Sequence, residues 1–276
     1  MTTPSTDPAA AQLTPTTASV RGRPLWYDLL TPDTAAAIAF YTAVTGWTLT
    51  NWEMGPGMTY SMWTAGETPI GGTMGLPADE VARGTPAHWM AHFGTPDTDA
   101  THALAVRLGA TTRVAPTDIP TVGRYAVLTD PQGALFALFT PASEPGAEPT
   151  TPGVGAISWH ELTTTDHVAA FDFYAQLFGW AKQDAMDMGA MGVYQMFGRP
   201  GGVMYGGMFD KPADMPAPPH WLLYVRVADL DAAVERVRAG GGQVLNGPME
   251  VPGGDRIAQC MDPQGGMFGL HAKTGA

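Results

Sequence analysis

The chain has 276 residues, 45% of them hydrophobic, which is enough to bury one large core or two of ordinary size. Acidic residues outnumber basic ones by 26 to 14, and the formal net charge of -12 would repel a polyanion, so nucleic acid is not an expected partner. No run of about 20 apolar residues is present, so we expect no membrane-spanning segment. The one cysteine, Cys260, cannot form an intrachain disulfide, which favours a reducing cytoplasm.

The N-terminal segment differs in composition from the rest of the chain. It is rich in Thr, Ala and Pro, and it lacks the basic start and the apolar run of a secretory signal. We expect a disordered leader over 1–20. After it we place a first domain at 21–140, a linker rich in Pro, Glu, Gly and Thr at 141–154, and a second domain at 155–273.

The two predicted domains are copies of one another. The offset between matching residues is 133 in the first half of each copy and 132 in the second half. The matching segments are Leu25-Trp26-Tyr27-Asp28-Leu29 with Ser158-Trp159-His160-Glu161-Leu162, Phe40-Tyr41 with Phe173-Tyr174, Gly46-Trp47 with Gly179-Trp180, His88-Trp89 with His220-Trp221, and Asp130-Pro131-Gln132-Gly133 with Asp262-Pro263-Gln264-Gly265. So many matches in register indicate a duplication.

Each copy divides again into two modules, because a short strand that leads into a glycine-terminated helix occurs four times. Two or three short strands separated by Gly and Pro follow each helix, and the Gly71-Gly72 and Gly206-Gly207 pairs indicate bulges or turns. The predicted fold class is α+β, with four βαβββ modules that form two curved mixed sheets with helices outside. The helices are predicted from Asp33 to Gly46, from near Asp97 to Gly109, from near Asp166 to Gly179, and over Leu230 to Ala239.

This order of strand, Asp, helix with Phe-Tyr and Gly-Trp, and a late Asp-Pro-x-Gly resembles the vicinal-oxygen-chelate superfamily of glyoxalases, bleomycin-resistance proteins and extradiol dioxygenases. The resemblance covers about 22–140 and 155–272, and it implies pairs of modules that close a cup-shaped sheet around a small molecule. It also implies a divalent metal bound by His and Glu in many members, but no cofactor is expected here, with a divalent metal kept as an alternative. The aligned ligand positions hold Trp26, Met90 and Ala137 in the first copy and Trp159, Leu222 and Gly269 in the second.

Alternation along the strands predicts which side chains line each cup. Trp26 and Asp28 share one face while Tyr27 and Leu29 face the helices, and Trp159 and Glu161 share the cup face of the second copy with His160 behind them. The candidate catalytic residues are Asp28, His92, Glu161 and His220. The candidate ligand-binding residues are Trp26, His88, Met90, Trp159, Leu222, Tyr224 and Arg226. For each the structural alternative stays open: an anchored carboxylate, a strand-start histidine hydrogen bond, or a core tryptophan.

Three functions fit these residues. The leading one is a metal-independent enzyme that transfers a proton on a small organic metabolite, as an isomerase, lyase or cyclase does. The alternatives are sequestration of a toxic or aromatic compound, and a metal-dependent glyoxalase-like or dioxygenase-like enzyme with relocated ligands. A small-molecule ligand and a monomer or homodimer are expected in each case.

The copies differ at Tyr27 against His160 and at His92 against Tyr224, which indicates that one cup works while the other supports it. Module one could share its cup with module two or with module four. The sequence leaves this choice open.

Overall fold

The computed structural model describes residues 20–55 and 58–274, so the predicted leader lies outside the described residues except for Val20. The elements of the first copy are β1 (Pro24–Thr31), α1 (Thr34–Thr45), β2 (Thr48–Gly55), β3 (Met58–Ala65), β4 (Thr68–Gly75), α2 (Ala78–Ala82), β5 (His88–Gly94), α3 (Thr98–Arg107), β6 (Thr111–Ile119), β7 (Gly123–Thr129) and β8 (Leu135–Pro141). Those of the second copy are β9 (Ile157–Thr164), α4 (His167–Phe178), β10 (Ala181–Asp187), a 3-10 turn (Gly189–Met191), β11 (Val193–Gly198), β12 (Met204–Asp210), β13 (His220–Arg226), α5 (Leu230–Ala239), β14 (Gln243–Glu250), β15 (Arg256–Met261) and β16 (Met267–Ala272).

Each copy forms one eight-stranded mixed sheet. The strand orders are β2-β3-β4-β1-β5-β8-β7-β6 and β10-β11-β12-β9-β13-β16-β15-β14. The first strands of the two modules, β1 and β5, are antiparallel neighbours at the centre of the sheet, and β9 and β13 repeat this pairing. Modules one and two therefore share a sheet, as do modules three and four, which settles the choice that the sequence left open.

The four predicted helices are confirmed, and their ends follow from the capping residues. The Asp33 side chain accepts a hydrogen bond from the backbone N–H of Ala36 at 3.0 Å, and Gly46 ends α1 in the left-handed region at φ 77°. Asp166 and Gly179 do the same for α4, with φ 68° at the glycine. A carboxylate at the N-cap satisfies a backbone donor that the helix leaves unpaired, and glycine alone enters the left-handed region without strain.

Both Gly-Gly pairs lie inside strands, β4 and β12, so the prediction of turns there is wrong. The prediction of bulges is confirmed, because the pairing register shifts directly before each pair, between Trp63 and Thr64 opposite β4 and between Phe197 and Gly198 opposite β12. A Cβ on Gly72 would lie 2.2 Å from Cζ of Tyr60, and one on Gly207 would lie 1.9 Å from Cε1 of Tyr194. These glycines therefore leave room for a tyrosine ring from the neighbouring strand to lie across the sheet.

The two copies pack through reciprocal hydrogen bonds between the motifs that repeat in the sequence. The Tyr41 hydroxyl on α1 donates to Asp262 Oδ2 at 3.0 Å, and the Tyr174 hydroxyl on α4 donates to Asp130 Oδ2 at 3.0 Å. The remaining oxygen of Asp130 accepts backbone N–H groups of its own turn, so each aspartate joins a turn in one copy to a helix in the other. Burial raises the pKa of Asp130, and the hydrogen bonds oppose this rise.

The two Gly-Trp motifs make a second reciprocal pair of contacts. Trp47 Nε1 donates to the carbonyl of Gly155 just before β9, and Trp180 Nε1 donates to the carbonyl of Gly22 just before β1, at 2.7 and 2.8 Å. These indoles join a continuous apolar core that contains residues of both copies and the helix-facing sides of both sheets. The helices and sheet backs thus meet in the middle of the molecule. Within the described residues, no helix is long and apolar enough to cross a membrane.

One polar contact lies inside this shared core. The Tyr27 hydroxyl on β1 is 2.8 Å from His160 Nε2 on β9, and His160 Nδ1 is 2.7 Å from the carbonyl of Tyr205. Because the carbonyl can only accept, Nδ1 carries the proton and Nε2 accepts from the phenol. The difference between Tyr27 and His160 therefore serves the contact between copies, and which cup acts on a ligand stays a prediction that rests on His92 against Tyr224.

We expect Tyr41→Phe to destabilise the fold by about 1–3 kcal/mol, because it leaves a buried carboxylate oxygen of Asp262 without its donor. Equilibrium unfolding in urea measures this loss. Tyr125→Phe is the matched control, since the Tyr125 hydroxyl makes no hydrogen bond within the described part of the chain. A Tyr41→Phe protein as stable as the control would contradict the role given to this contact.

Burial lowers the pKa of His160 from 6.5 to about 4. The unfolded chain therefore binds a proton at a higher pH than the folded chain does, and stability is complete above about pH 6.5 and falls as the pH drops toward 4. We expect this histidine to cost about 2 kcal/mol of unfolding free energy between pH 7 and pH 5. His160→Gln keeps a donor and an acceptor but does not titrate, so its loss over that interval should be smaller by this amount. Equal losses in the two proteins would rule out His160 as the source.

Candidate functional site

The centre of the first cup is a buried carboxylate with three hydrogen-bond donors. Asp28 on β1 accepts from His92 Nε2 at 2.8 Å through Oδ2, and from the Tyr60 hydroxyl at 2.6 Å and Trp26 Nε1 at 3.2 Å through Oδ1. Trp26 Nε1 also lies 2.6 Å from the Tyr60 hydroxyl. Asp28 and His92 are 6% and 5% exposed, so the pair is shielded from bulk water.

The contact with Asp28 fixes the state of the His92 ring. A carboxylate only accepts, so Nε2 of His92 carries the hydrogen, and in the neutral ring Nδ1 carries the lone pair. No group in the described part of the chain hydrogen-bonds to that Nδ1. The ring therefore presents an acceptor that a ligand in the cup can use.

Apolar side chains surround this pair. Met90, Val127 and Ala137 form a small buried cluster on the cup face, separate from the main core. The Phe139 ring stands edge-on to His92, with their centroids 6.4 Å apart. Half-buried residues complete the wall, namely Trp26, Leu30, Tyr125 and Leu135. The cup thus suits an apolar, planar ligand with one polar group directed at the pair.

The second cup has a carboxylate at the same place, but none of its hydrogen-bond partners among the described residues is an imidazole. Glu161 on β9 accepts from the Tyr194 hydroxyl at 3.0 Å, the Tyr224 hydroxyl at 3.1 Å and Gln259 Nε2 at 3.0 Å. Trp159 Nε1 donates to the Tyr194 hydroxyl at 2.7 Å. Burial raises the pKa of Glu161, and its three neutral donors oppose this rise.

Two substitutions between the copies produce this difference. Tyr224 occupies the position of His92, and Gln259 occupies the position of Val127. A Cβ on Gly269 would lie 2.3 Å from Cδ1 of Tyr224, so the larger ring fits only because its neighbour is glycine. The first cup therefore holds an acid–base pair, whereas the second holds a carboxyl group that neutral donors saturate.

Most of the predicted cup residues lie on the expected faces. Tyr27 and Leu29 join the core, whereas Asp28, Met90 and His92 face the first cup, which confirms the alternation. In the second cup, Trp159, Glu161 and Tyr224 form one hydrogen-bonded group, and Leu222 is buried directly opposite Glu161 on the neighbouring strand. Their catalytic and binding roles remain predictions.

Three predicted residues lie apart from these centres. His88 Nδ1 hydrogen-bonds to the carbonyl of Pro86 at 3.0 Å, and His220 Nδ1 to that of Pro218 at 2.8 Å. Each histidine therefore bonds to the backbone just before its own strand. Asp28 contacts His92 rather than His88, and Glu161 contacts Tyr224 rather than His220. Arg226 Nη1 donates to the carbonyl of Pro152 in the linker, at the rim of the second cup.

The sequence reasoning missed three members of these clusters: Tyr60, Tyr194 and Gln259. The two tyrosines occupy equivalent places on β3 and β11, each facing a glycine on the next strand. A matched tyrosine beside a matched Gly-Gly pair was the available signal. Gln259 has no polar counterpart in the first copy, so the repeat offered no such signal.

The first cup does not fit the metal site that the fold implies. Its only metal-binding groups among the described residues are Asp28 and His92, which bond to each other. The remaining polar groups there are the phenols of Tyr60 and Tyr125 and the indole of Trp26. The described residues contain no group of three or more His, Cys, Asp and Glu side chains that could hold an ion. A divalent cation in such a site needs more imidazole and carboxylate ligands than these two side chains supply.

Comparison with known proteins places the chain in a family. The model described as "Glyoxalase/Bleomycin resistance protein/Dioxygenase superfamily" matches residues 23–138 and 156–270. The chain belongs to this superfamily. Anthracycline biosynthesis protein DnrV of Streptomyces peucetius is 34% identical over 262 residues, which cover 90% of this chain and 92% of DnrV.

Two solved structures share the fold at low identity. The Mn(II)-bound glyoxalase of Novosphingobium aromaticivorans has a TM-score of 0.62 at 15% identity, over 91% of this chain and 82% of that one. The 2,3-dioxygenase LapB of Pseudomonas sp. KL28 has a TM-score of 0.62 at 13% identity, over 92% of this chain and 93% of that one. These likenesses confirm the glyoxalase-like α+β fold with tandem copies.

We expect Gly72→Ala to displace the Tyr60 ring from Asp28 and to destabilise the fold by about 1–3 kcal/mol through overpacking. Gly75→Ala, on the same strand with open space around its Cβ position, should stay within about 0.5 kcal/mol of the parent. Urea unfolding of the two variants gives the comparison. If both alanines are tolerated equally, Gly72 does not set the position of Tyr60.

Proposed function

We propose that the protein binds a planar, polycyclic aromatic metabolite in the first cup and that Asp28 and His92 transfer a proton on it. The observation that carries this proposal is the buried contact of 2.8 Å between Asp28 and His92, with the second ring nitrogen left to a ligand. The substrate class is supported by the apolar aromatic wall and by the similarity to a protein named for anthracycline biosynthesis.

The pair has the parts that general base catalysis requires. Nδ1 of His92 accepts a proton from an acidic carbon or hydroxyl of the ligand, and Asp28 stabilises the imidazolium that results. The shielded site strengthens that interaction, because little water competes for either partner. Returning the proton to another atom gives isomerisation, and loss of a leaving group gives elimination. Neither isomerisation nor elimination needs an oxidant or a reductant.

The second cup has a supporting role in this proposal. The Glu161 carboxylate is bonded to two phenols and an amide, with no basic nitrogen among them. Such a saturated cluster positions the strands β9, β11, β13 and β15 rather than exchanging protons with a ligand. The first cup therefore carries the proposed proton transfer.

Sequestration is a second candidate function, favoured by one observation. The Asp28 carboxylate already accepts three hydrogen bonds, so the cup can hold an apolar ligand without leaving this buried charge unsatisfied. A protein that only binds its ligand needs nothing further.

Hydrogen exchange into a bound ligand separates the two candidates. We expect an anthracycline aglycone to bind the protein in a calorimetric titration, and in D₂O to gain deuterium at an acidic carbon faster than it does in buffer. Asp28→Asn and His92→Gln should slow that exchange by roughly 100-fold or more while the dissociation constant changes little, because the base is lost and the wall is kept.

The matched control is His102→Gln, since His102 bonds Thr112 at the exposed surface of α3 and should leave the exchange rate unchanged. Binding without catalysed exchange would favour sequestration. No binding of the aglycone would contradict the substrate class, and unchanged exchange in both cup variants would contradict the assignment of the base.

A further inference from the structure

The second cup contains a separate chain of polar contacts at its rim. Ser158 Oγ on β9 lies 2.8 Å from His271 Nδ1 on β16, and His271 Nε2 lies 2.9 Å from Asp255 Oδ2 in the turn before β15. Gly269 faces the cup beneath Tyr224, and His271 lies two residues further along the same strand, so it shares that face. A serine hydroxyl, an imidazole and a carboxylate are thus connected by two successive hydrogen bonds.

A bulge directs Ser158 toward His271. Tyr224 pairs with Trp159, but the next residue, Val225, pairs with Ile157, which leaves Ser158 as the extra residue of β9. Bulges turn a side chain away from the regular alternation and occur often beside active sites. Ser158 is only partly buried.

The hydrogen bonds fix the state of the imidazole. Asp255 accepts from Nε2 of His271. Burial acts to raise the pKa of Asp255, but the hydrogen bond from His271, together with the nearby charges and the backbone N–H of Thr274, holds this pKa below its usual range. The lone pair of the neutral ring is therefore on Nδ1, where it accepts from the Ser158 hydroxyl. The carbonyl of Tyr224 is a more distant acceptor for that hydroxyl, at 3.2 Å. The two ring nitrogens are exchanged relative to the usual serine–histidine–aspartate order, but either nitrogen can take the serine proton while the other holds the carboxylate.

The described residues of the first copy form no such chain of contacts. The equivalents of Ser158 and His271 are Leu25 and Phe139, neither of which can relay a proton. In the second copy, Arg226 pairs with His271 on the neighbouring strand, and its guanidinium donates to the carbonyl of Pro152.

We propose that Ser158, His271 and Asp255 form a nucleophilic site that hydrolyses small carboxylic esters, independent of the first cup. Ser158 Oγ attacks the ester carbonyl carbon while its proton passes to His271 Nδ1. The imidazolium then protonates the departing alcohol oxygen as the ester bond breaks, which leaves an acyl-serine. Water, deprotonated by His271, attacks the acyl-serine and releases the carboxylic acid, and the proton returns to Ser158. The net reaction is ester plus water to acid plus alcohol.

A fluorophosphonate probe tests this site on the intact protein. We expect one adduct per chain, with fluoride displaced from phosphorus by Ser158 Oγ, and peptide mass spectrometry should locate it on that residue. Ser158→Ala should give no adduct, and Asp255→Asn should slow labelling by at least roughly 10-fold, because the imidazole then loses the partner that fixes its tautomer. Release of p-nitrophenolate from p-nitrophenyl acetate should fall in parallel.

Ser61→Ala is the matched control, since the Ser61 hydroxyl bonds Asn51 and has no imidazole partner in the part of the chain that the structure describes. Its labelling rate should equal that of the parent. The proposal is overturned if the parent gains no adduct at Ser158 at millimolar probe, if the adduct lies on another residue, or if Asp255→Asn labels at the parental rate.

Discussion

The fold depends on two buried contacts between a phenol and a carboxylate, Tyr41 with Asp262 and Tyr174 with Asp130. Each joins the first helix of one copy to the Asp-Pro-Gln-Gly turn of the other. A shift of one sheet relative to the other would therefore break these hydrogen bonds. A buried carboxylate that loses its donors costs free energy, and this cost holds the sheets in one arrangement. The cups can then open away from the shared core, because that core occupies the opposite face of both sheets.

The residues that reveal the duplication in the sequence are those that build this interface. Trp47, Trp180 and the two Asp-Pro-Gln-Gly turns recur because each copy must present the same groups to the other, which is why they could be recognised without a structure. The alternation rule also placed Trp26, Asp28 and Met90 on the cup face. Helix ends followed from Asp caps and terminal glycines, as local chemistry dictates.

What the sequence could not provide was the partner of each cup residue. Whether Asp28 meets His88 or His92 depends on the register of β1 against β5, and a one-step change along a strand moves every contact. Tyr60 reaches Asp28 from β3, across β4, only because Gly72 has no side chain. The contact of Ser158 with His271 depends on a bulge in β9. Strict alternation of side chains would place Ser158 on the opposite face of the sheet from Trp159. The unpredicted contacts therefore depend on strand register, on a bulge and on a glycine that leaves space for a distant side chain.

The hydrogen bond between Tyr27 and His160 joins two residues that occupy the same position in their copies. In a symmetric homodimer, a residue on the two-fold axis meets its own duplicate, so a phenol would face a phenol or an imidazole would face an imidazole. A directed bond from one donor to one acceptor cannot form there without breaking the symmetry. Fusion of the copies into one polypeptide removes that restriction, since each half can then encode a different residue on the axis.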